Sequence, residues 1–100
     1  MMNVCPVTRT MILLSKKWTL IILKELSEGK KSFLEMSKNL NGISTRTLTC
    51  RLRELEKEGI IKSKRVKGMP PKTEYMLTKK GKELVRFFKY IAKWSNKYKT

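Results

Sequence analysis

Apolar residues at helical spacing predict two helices in the first third of the chain, after a loose tail of four residues. Pro6 suits the first turn of a helix, and Val7, Met11 and Leu14 then follow three or four residues apart. A second helix is predicted from about Lys17 to Glu28. The side of this helix that we expect to be buried holds Trp18, Ile21, Ile22 and Leu26.

The next segment has the features of two helices joined by a tight turn. Ser32 and Glu35 form an S-x-x-E capping box, in which each side chain bonds a free backbone N–H at the other residue. Asn41-Gly42 is a strong turn signal, and Ser44 is placed to cap the helix that follows. The leucines that would hold this helix to the core are Leu48, Leu52 and Leu55. The pattern therefore predicts a helix-turn-helix from Ser32 to Gly59.

Two short runs rich in β-branched and aromatic residues come next, from Ile60 to Val66 and from Thr73 to Thr78. Gly and Pro lie between them, in the segment from Lys67 to Lys72, and this predicts a hairpin with a basic tip. A hairpin directly after a helix-turn-helix is typical of a winged helix. Thr78 would cap one long last helix. The apolar stripe of that helix holds Leu84, Phe87, Phe88, Ile91, Trp94, Ser95 and Tyr98.

The length of 100 residues fits a single domain, 1–100. We predict a mainly α fold with a small β-hairpin, namely a winged helix-turn-helix. Its parts would be the helix-turn-helix at about 32–59, the wing at about 60–78 and the last helix at about 79–98. A core this small is marginal alone, so a dimer interface formed by the N- and C-terminal helices would be a natural supplement.

The charge of the chain points to a polyanionic partner. Lys and Arg total 24 against 8 acidic residues, which gives a formal net charge of +16. A solvated, merely soluble surface is the alternative explanation. The chain has no His and no Asp, which removes the usual general bases, metal ligands and catalytic triads. We therefore expect no enzyme activity, no metal site and no cofactor.

The second helix of the predicted motif should turn a polar face to solvent, opposite its leucines. An arginine there can bond guanine O6 and N7 together, and a threonine can bond a base or a phosphate. Arg53 and Lys57 repel each other, so a purely structural helix surface would gain nothing from them. The helix residues that we predict to bind double-stranded DNA are Ser44, Thr45, Arg46, Thr47, Thr49, Cys50, Arg53 and Lys57.

The predicted wing adds further cations. Those that we expect to contact DNA are Lys64, Arg65, Lys67 and Lys72, with Lys62 on the same hairpin. Contacts to phosphate add affinity and fix position, but they do not read sequence. The alternative is that lysines on an exposed strand protect it from aggregation.

The last helix carries more large apolar residues than one narrow core face requires. We predict a homodimer interface that it forms with the first helix. The residues of that interface would be Val7, Met11, Leu14, Leu84, Phe87, Phe88, Ile91, Trp94 and Tyr98. A basic amphipathic helix for membrane surfaces is the alternative. The longest apolar runs, Leu20 to Leu23 among them, are too short to span a bilayer, and we expect no signal peptide. We therefore expect a cytoplasmic protein without a membrane partner.

Two cysteines remain to be explained. Cys5 lies beside a helix N-terminus, with Arg9 four residues on, and both features favour a thiolate. It is a candidate redox-sensing thiol, and the alternative is a spare semi-buried cysteine. Cys50 lies on the face assigned to DNA. The sequence alone leaves open whether the two cysteines pair.

These segments resemble the HxlR family of winged-helix transcription regulators. The resemblance runs through CPVTRT (Cys5 to Thr10), KWTLIILKEL (Lys17 to Leu26), Phe33 to Met36, GISTRTLTCRLRELEKEGII (Gly42 to Ile61) and PPKTEYMLTKKGKEL (Pro70 to Leu84). It implies a homodimer that binds a palindromic operator and represses, or less often activates, a nearby gene. It also implies dimerisation through the first and last helices, and oxidant or electrophile sensing at Cys5, as in some members. A non-specific architectural nucleic-acid binder is the main alternative.

Two positions depart from the pattern of that family. Many members have Gly-Gly or a similar pair where this chain has Ser15-Lys16, and many have Gln where it has Cys50. A glutamine can bond adenine through two hydrogen bonds and a cysteine cannot, so the operator half-site is expected to differ from the common one. The effector, a small molecule or an oxidant, is not identified by the sequence.

Overall fold

The computed structural model describes residues 5–98; the predicted N-terminal tail lies outside this range. Its helices are α1 (Pro6–Leu14), α2 (Thr19–Ser27), α3 (Phe33–Asn39), α4 (Thr45–Lys57), α5 (Lys79–Leu84) and α6 (Phe88–Tyr98), with a 3₁₀ turn at Val85–Phe87. Its strands are β1 (Lys31–Ser32), β2 (Ile61–Val66) and β3 (Lys72–Leu77). The predicted winged helix-turn-helix is confirmed, with α3 and α4 as its two helices and β2 and β3 as its wing.

The wing belongs to a sheet with one strand more than the sequence predicted. The antiparallel order is β1-β3-β2, and the wing register runs from Ile61 opposite Leu77 to Val66 opposite Lys72. β2 and β3 begin and end within one residue of their predicted bounds. β1 was not predicted, because a strand of two residues is too short to show an alternating pattern.

The three leucines of α4 lie at the centre of the core, as predicted, and each is at most 1% exposed. The buried apolar residues are Leu14, Ile22, Leu23, Leu26, Met36, Leu40, Leu48, Leu52, Leu55, Ile60, Ile61 and Leu77. In α2 the prediction was wrong for Ile21, which is 51% exposed, and it missed Leu23. The helix begins at Thr19, and its buried face then falls at Thr19, Ile22, Leu23 and Leu26. Trp18 packs against the core, but it is only partly buried.

Polar caps fix the starts of three helices where the sequence predicted them. The backbone N–H of Ser32 donates to Glu35 Oε1 at 2.9 Å, and that of Glu35 donates to Ser32 Oγ at 3.1 Å. The Ser32 contacts, led by its backbone N–H, lower the pKa of Glu35. Ser44 and Thr78 each accept a hydrogen bond from the backbone N–H three residues later, at 3.0 and 3.1 Å. These caps define where α3, α4 and α5 begin.

The long last helix of the prediction is interrupted in the structure. The 3₁₀ turn separates α5 from α6, and Phe87 and Phe88 on either side of the junction both pack partly against the core. Their ring centroids are 4.6 Å apart. In α5 a Cβ at Gly81 would lie 2.1 Å from the backbone oxygen of Ile60, so only glycine fits there. The packing of Phe87 and Phe88 against the core therefore sets the break, and no Gly or Pro marks it in the sequence.

Candidate nucleic-acid interface

The outer face of α4 is cationic and open to solvent. Arg46, Arg53 and Lys57 are exposed, and none of them takes part in the ion pairs between residues 5 and 98. At about 100° per residue the three lie within an arc of roughly 40°. Thr49 is partly buried beside them, and Cys50 is exposed on the same face. The first turn of α4 holds no acidic side chain that would repel an anion.

The start of α4 uses two of the predicted contact residues to build the helix. Ser44 Oγ accepts a hydrogen bond from the backbone N–H of Thr47 and donates its own hydrogen to Thr47 Oγ1 at 2.9 Å. The hydroxyl hydrogen of Ser44 is therefore committed to the cap. Thr47 is partly buried, and Thr45 is exposed at the first position of the helix. Contact of these three residues with DNA stays a prediction.

A cluster of polar contacts ties α4 to the turn between α1 and α2. Arg51 Nε donates to the backbone oxygen of Lys17 at 2.9 Å, and Arg51 Nη1 pairs with Glu54 Oε1 at 3.2 Å. Lys16 Nζ lies 2.6 Å from Glu54 Oε2. The hydrogen bond from Lys16, with the charges of Lys16 and Arg51, lowers the pKa of Glu54. These contacts hold α4 to the turn between α1 and α2.

Sequence reasoning missed this cluster. Arg51 lies outside the arc of cations on α4, so it was not assigned to DNA, and its i,i+3 spacing to Glu54 was the available signal. Lys16 was noted only as a departure from the family pattern. Its contact with Glu54 across the domain was not visible in the sequence, because the two residues are 38 positions apart.

The wing presents exposed cations of two kinds. Lys64, Arg65 and Lys67 are exposed and have no acidic partner in the part of the chain that the structure describes. Lys72, in contrast, lies 3.6 Å from Glu74 Oε2, so its charge is partly neutralised. The first three are therefore the stronger candidates for contact with phosphate.

The wing is joined to α4 through the sheet face that carries Ser63 and Tyr75. Ser63 Oγ donates to Glu56 Oε2 at 3.0 Å. Burial and the nearby Glu56 carboxylate raise the pKa of Tyr75, while Arg53 acts in the opposite direction. The bond from Ser63 to Glu56 therefore holds the wing against α4.

Both thiols are free and exposed, so the question of an intrachain disulfide is answered for this structure. Cys5 is the N-cap residue of α1, and it has no side-chain cap hydrogen bond of standard geometry. The backbone N–H groups of Thr8 and Val7 nonetheless lie close enough to the sulfur to lower the pKa of the Cys5 thiol. No group of three His, Cys, Asp or Glu side chains within residues 5–98 is arranged to hold a metal ion.

Apolar residues are exposed on α1 and α6. Their exposed fractions are 68% for Val7, 61% for Met11, 51% for Ile91, 58% for Trp94 and 56% for Tyr98. The other predicted interface residues lie deeper: Leu84, Phe87 and Phe88 are partly buried against the core. Leu14, at 7% exposed, packs in the core and has little surface left for the dimer interface predicted for it. None of the described helices is long and apolar enough to cross a membrane.

The helical core, the three-stranded sheet and the exposed cationic face of α4 together define a winged helix-turn-helix transcriptional regulator. The sequence model of the HxlR-like helix-turn-helix family matches residues 13–100. The chain therefore belongs to this family, as its motifs suggested.

Known proteins that resemble the chain agree with this assignment. It is 42% identical to YdeP of Bacillus subtilis, an uncharacterized HTH-type transcriptional regulator, over 95% of this chain and 74% of YdeP. It superposes with a TM-score of 0.84 on a MarR-family transcriptional regulator from Porphyromonas gingivalis, at 32% identity over 95% of this chain and 93% of that one. The reduced form of the redox regulator HypR also gives a TM-score of 0.84, at 34% identity over 95% and 94% of the two chains.

Proposed function

We propose that this regulator binds double-stranded DNA in a sequence-specific manner, as a homodimer on a palindromic operator, and that it acts as a repressor. The observation that carries the proposal is the outer face of α4. Arg46, Arg53 and Lys57 are held rigidly by buried leucines on the other side of the helix, yet no acidic side chain of the described residues neutralises them. Arg53 and Lys57 form a like-charge i,i+4 pair, and an anion bound at this face would relieve their repulsion.

In the proposed complex α4 lies in the major groove. Arg46 and Arg53, with Thr49 between them, face base edges, and Lys64, Arg65 and Lys67 of the wing face phosphates. The 2.9 Å bond from Arg51 to the backbone of Lys17 keeps α4 in position. Two copies joined through α1 and α6 would place their recognition helices about one DNA turn, roughly 34 Å, apart.

We further propose that Cys5 makes the regulator responsive to oxidants or electrophiles. Its thiol is exposed, and its pKa is lowered at the start of α1, the helix that carries the exposed Val7 and Met11. A modification there would disturb the surface that we assign to dimerisation. The structural similarity to the redox regulator HypR supports this proposal.

The competing function is non-specific architectural binding, which the net charge of +16 alone would support. The two functions differ in what single substitutions do. On a duplex with the preferred site, Arg53→Ala should cost about 1–3 kcal/mol of binding free energy, and much less on a scrambled duplex. Lys67→Ala should weaken binding to both duplexes alike and lower the slope of log affinity against log salt by about one unit.

Fluorescence anisotropy on the two duplexes over a range of salt concentrations measures both effects, and each variant is the control for the other. If Arg53→Ala weakened binding equally on both duplexes, the base-reading role of α4 would be lost. An unchanged salt slope in Lys67→Ala would remove the wing from the phosphate contacts.

A further inference from the structure

A second basic region lies away from α4, in a cleft of about 690 Å³ that we name the basic cleft. It is lined by the end of α2, the wing strands and the junction of α5 with α6. The cations that line it are Lys24, Lys30, Lys62, Lys82, Arg86 and Lys89, and no lining residue is acidic. Its volume is within the range of roughly 300–1,000 Å³ that is typical of small-molecule sites.

Most of the charge in the basic cleft is not neutralised within the chain. Lys24 pairs with Glu28 at 2.6 Å, and Lys30 lies 3.6 Å from Glu74. The other four cations have no ion-pair partner among residues 5–98. Like charges around one cleft repel, so a bound anion would be stabilised there.

The walls of the cleft are largely apolar, unlike those of a site for a bare inorganic anion. The apolar lining residues come from α2, β3, the 3₁₀ turn and α6, and they are Leu26, Met76, Leu77, Val85 and Phe88. Apolar walls with a few charged groups are the usual composition of a site for a small organic ligand.

The basic cleft and α4 lie on opposite faces of the wing sheet. Ser63, which pairs with Tyr75, bonds Glu56 on α4. Lys62 pairs with Met76 one position along, and successive side chains of a strand point to opposite faces. No residue of α4 lines the cleft. Its charge is therefore not an extension of the recognition helix.

We propose that the basic cleft binds a small organic anion with an apolar body, such as an aryl or alkyl carboxylate. The carboxylate contacts the unpaired cations Lys62, Lys82, Arg86 and Lys89, and the apolar body packs on Met76, Val85 and Phe88. Because Val85 and Arg86 belong to the 3₁₀ turn, the ligand touches the sheet and the junction with α6 at once. Binding of this ligand needs no DNA, so it is independent of the proposed DNA binding.

The test is calorimetric titration of the full chain, without DNA, with 2-naphthoate and with its uncharged counterpart 2-naphthalenemethanol. We expect saturable binding of one naphthoate per chain, at least tenfold tighter than binding of the alcohol. The double variant Lys62→Gln/Arg86→Gln should weaken naphthoate binding at least tenfold. Both side chains are exposed, so the fold should be retained.

The matched control is Arg65→Gln/Lys67→Gln. It also removes two positive charges, here both from the wing, at positions that do not line the cleft. It should leave naphthoate affinity within about twofold of the parent, apart from the general effect of net charge. Equal weakening by the two double variants would overturn the proposal. So would equal affinity for the acid and the alcohol, or the absence of saturable binding.

Discussion

At the scale of single residues, the sequence was sufficient to predict the role of a side chain when its partners are close to it in the chain. The caps at Ser32, Ser44 and Thr78 depend only on neighbours three residues away, so the pattern was sufficient to place them. Arg51 could not be assigned in this way. Its partner at the backbone of Lys17 is 34 positions distant, and only the folded chain brings the two together.

The reactivity of the Cys5 thiol can be predicted at this scale. Because helix N–H groups lower the pKa of the thiol in the folded chain, the thiolate form begins to accumulate at a lower pH than in the unfolded chain. In a Cys50→Ser variant, where Cys5 is the remaining thiol, alkylation by iodoacetamide should therefore rise with pH earlier in the folded protein. At neutral pH, Cys5 of the folded protein should be alkylated faster than Cys5 of the unfolded protein.

The control for this prediction is the same variant in concentrated urea, where α1 is lost and the thiol returns to its ordinary pKa. Rates measured from pH 6 to 10 by mass spectrometry give both profiles. Coincident profiles would contradict the role assigned to the start of α1.

At the scale of elements, periodicity placed α1, α2, α3, α4 and the two wing strands, and tertiary packing decided where the last predicted helix divides. In the apolar run from Leu20 to Leu23 every position is apolar, so the pattern could not select the buried face. The break at Val85–Phe87 was equally invisible, since no helix-breaking residue marks it. It lies between α5, which has Gly81 buried, and α6, in which Phe88 at the start packs against the core and no residue is fully buried.

The division between α5 and α6 determines how the proposed dimer interface should be tested. Phe88 is partly buried against the core, so Phe88→Glu would disturb the fold as well as the surface. Ile91 and Trp94 are exposed. We predict that Ile91→Glu or Trp94→Glu converts the dimer to monomers, because a charge would be buried in an apolar interface.

Sedimentation velocity of the folded variants measures this change. Asn96→Glu places the same charge on another face of α6 and should leave the dimer intact. A dimer that survives Ile91→Glu and Trp94→Glu would contradict an interface at α6, and so would equal dissociation by Asn96→Glu.

At the scale of the whole molecule, the charge of the chain is divided between surfaces. The cations of α4 lie on one side of the wing sheet, and those of the basic cleft, Lys62 of the wing among them, lie on the other. Net charge and motif spacing were enough to predict the winged helix-turn-helix and its family. They could not predict the basic cleft. Lys82, Arg86 and Lys89 do fall at helical spacing, but only the folded chain brings Lys24, Lys30 and Lys62 beside them.

The central claim is that α4 reads a DNA sequence in a dimer, and selection from random duplex DNA tests it most directly. The reduced protein is incubated with the random pool at about 0.15 M salt, and the bound fraction is sequenced over several rounds. We predict enrichment of an inverted repeat whose half-sites are about one helical turn apart. Tight binding without enrichment of any sequence would contradict the claim and leave architectural binding as the function.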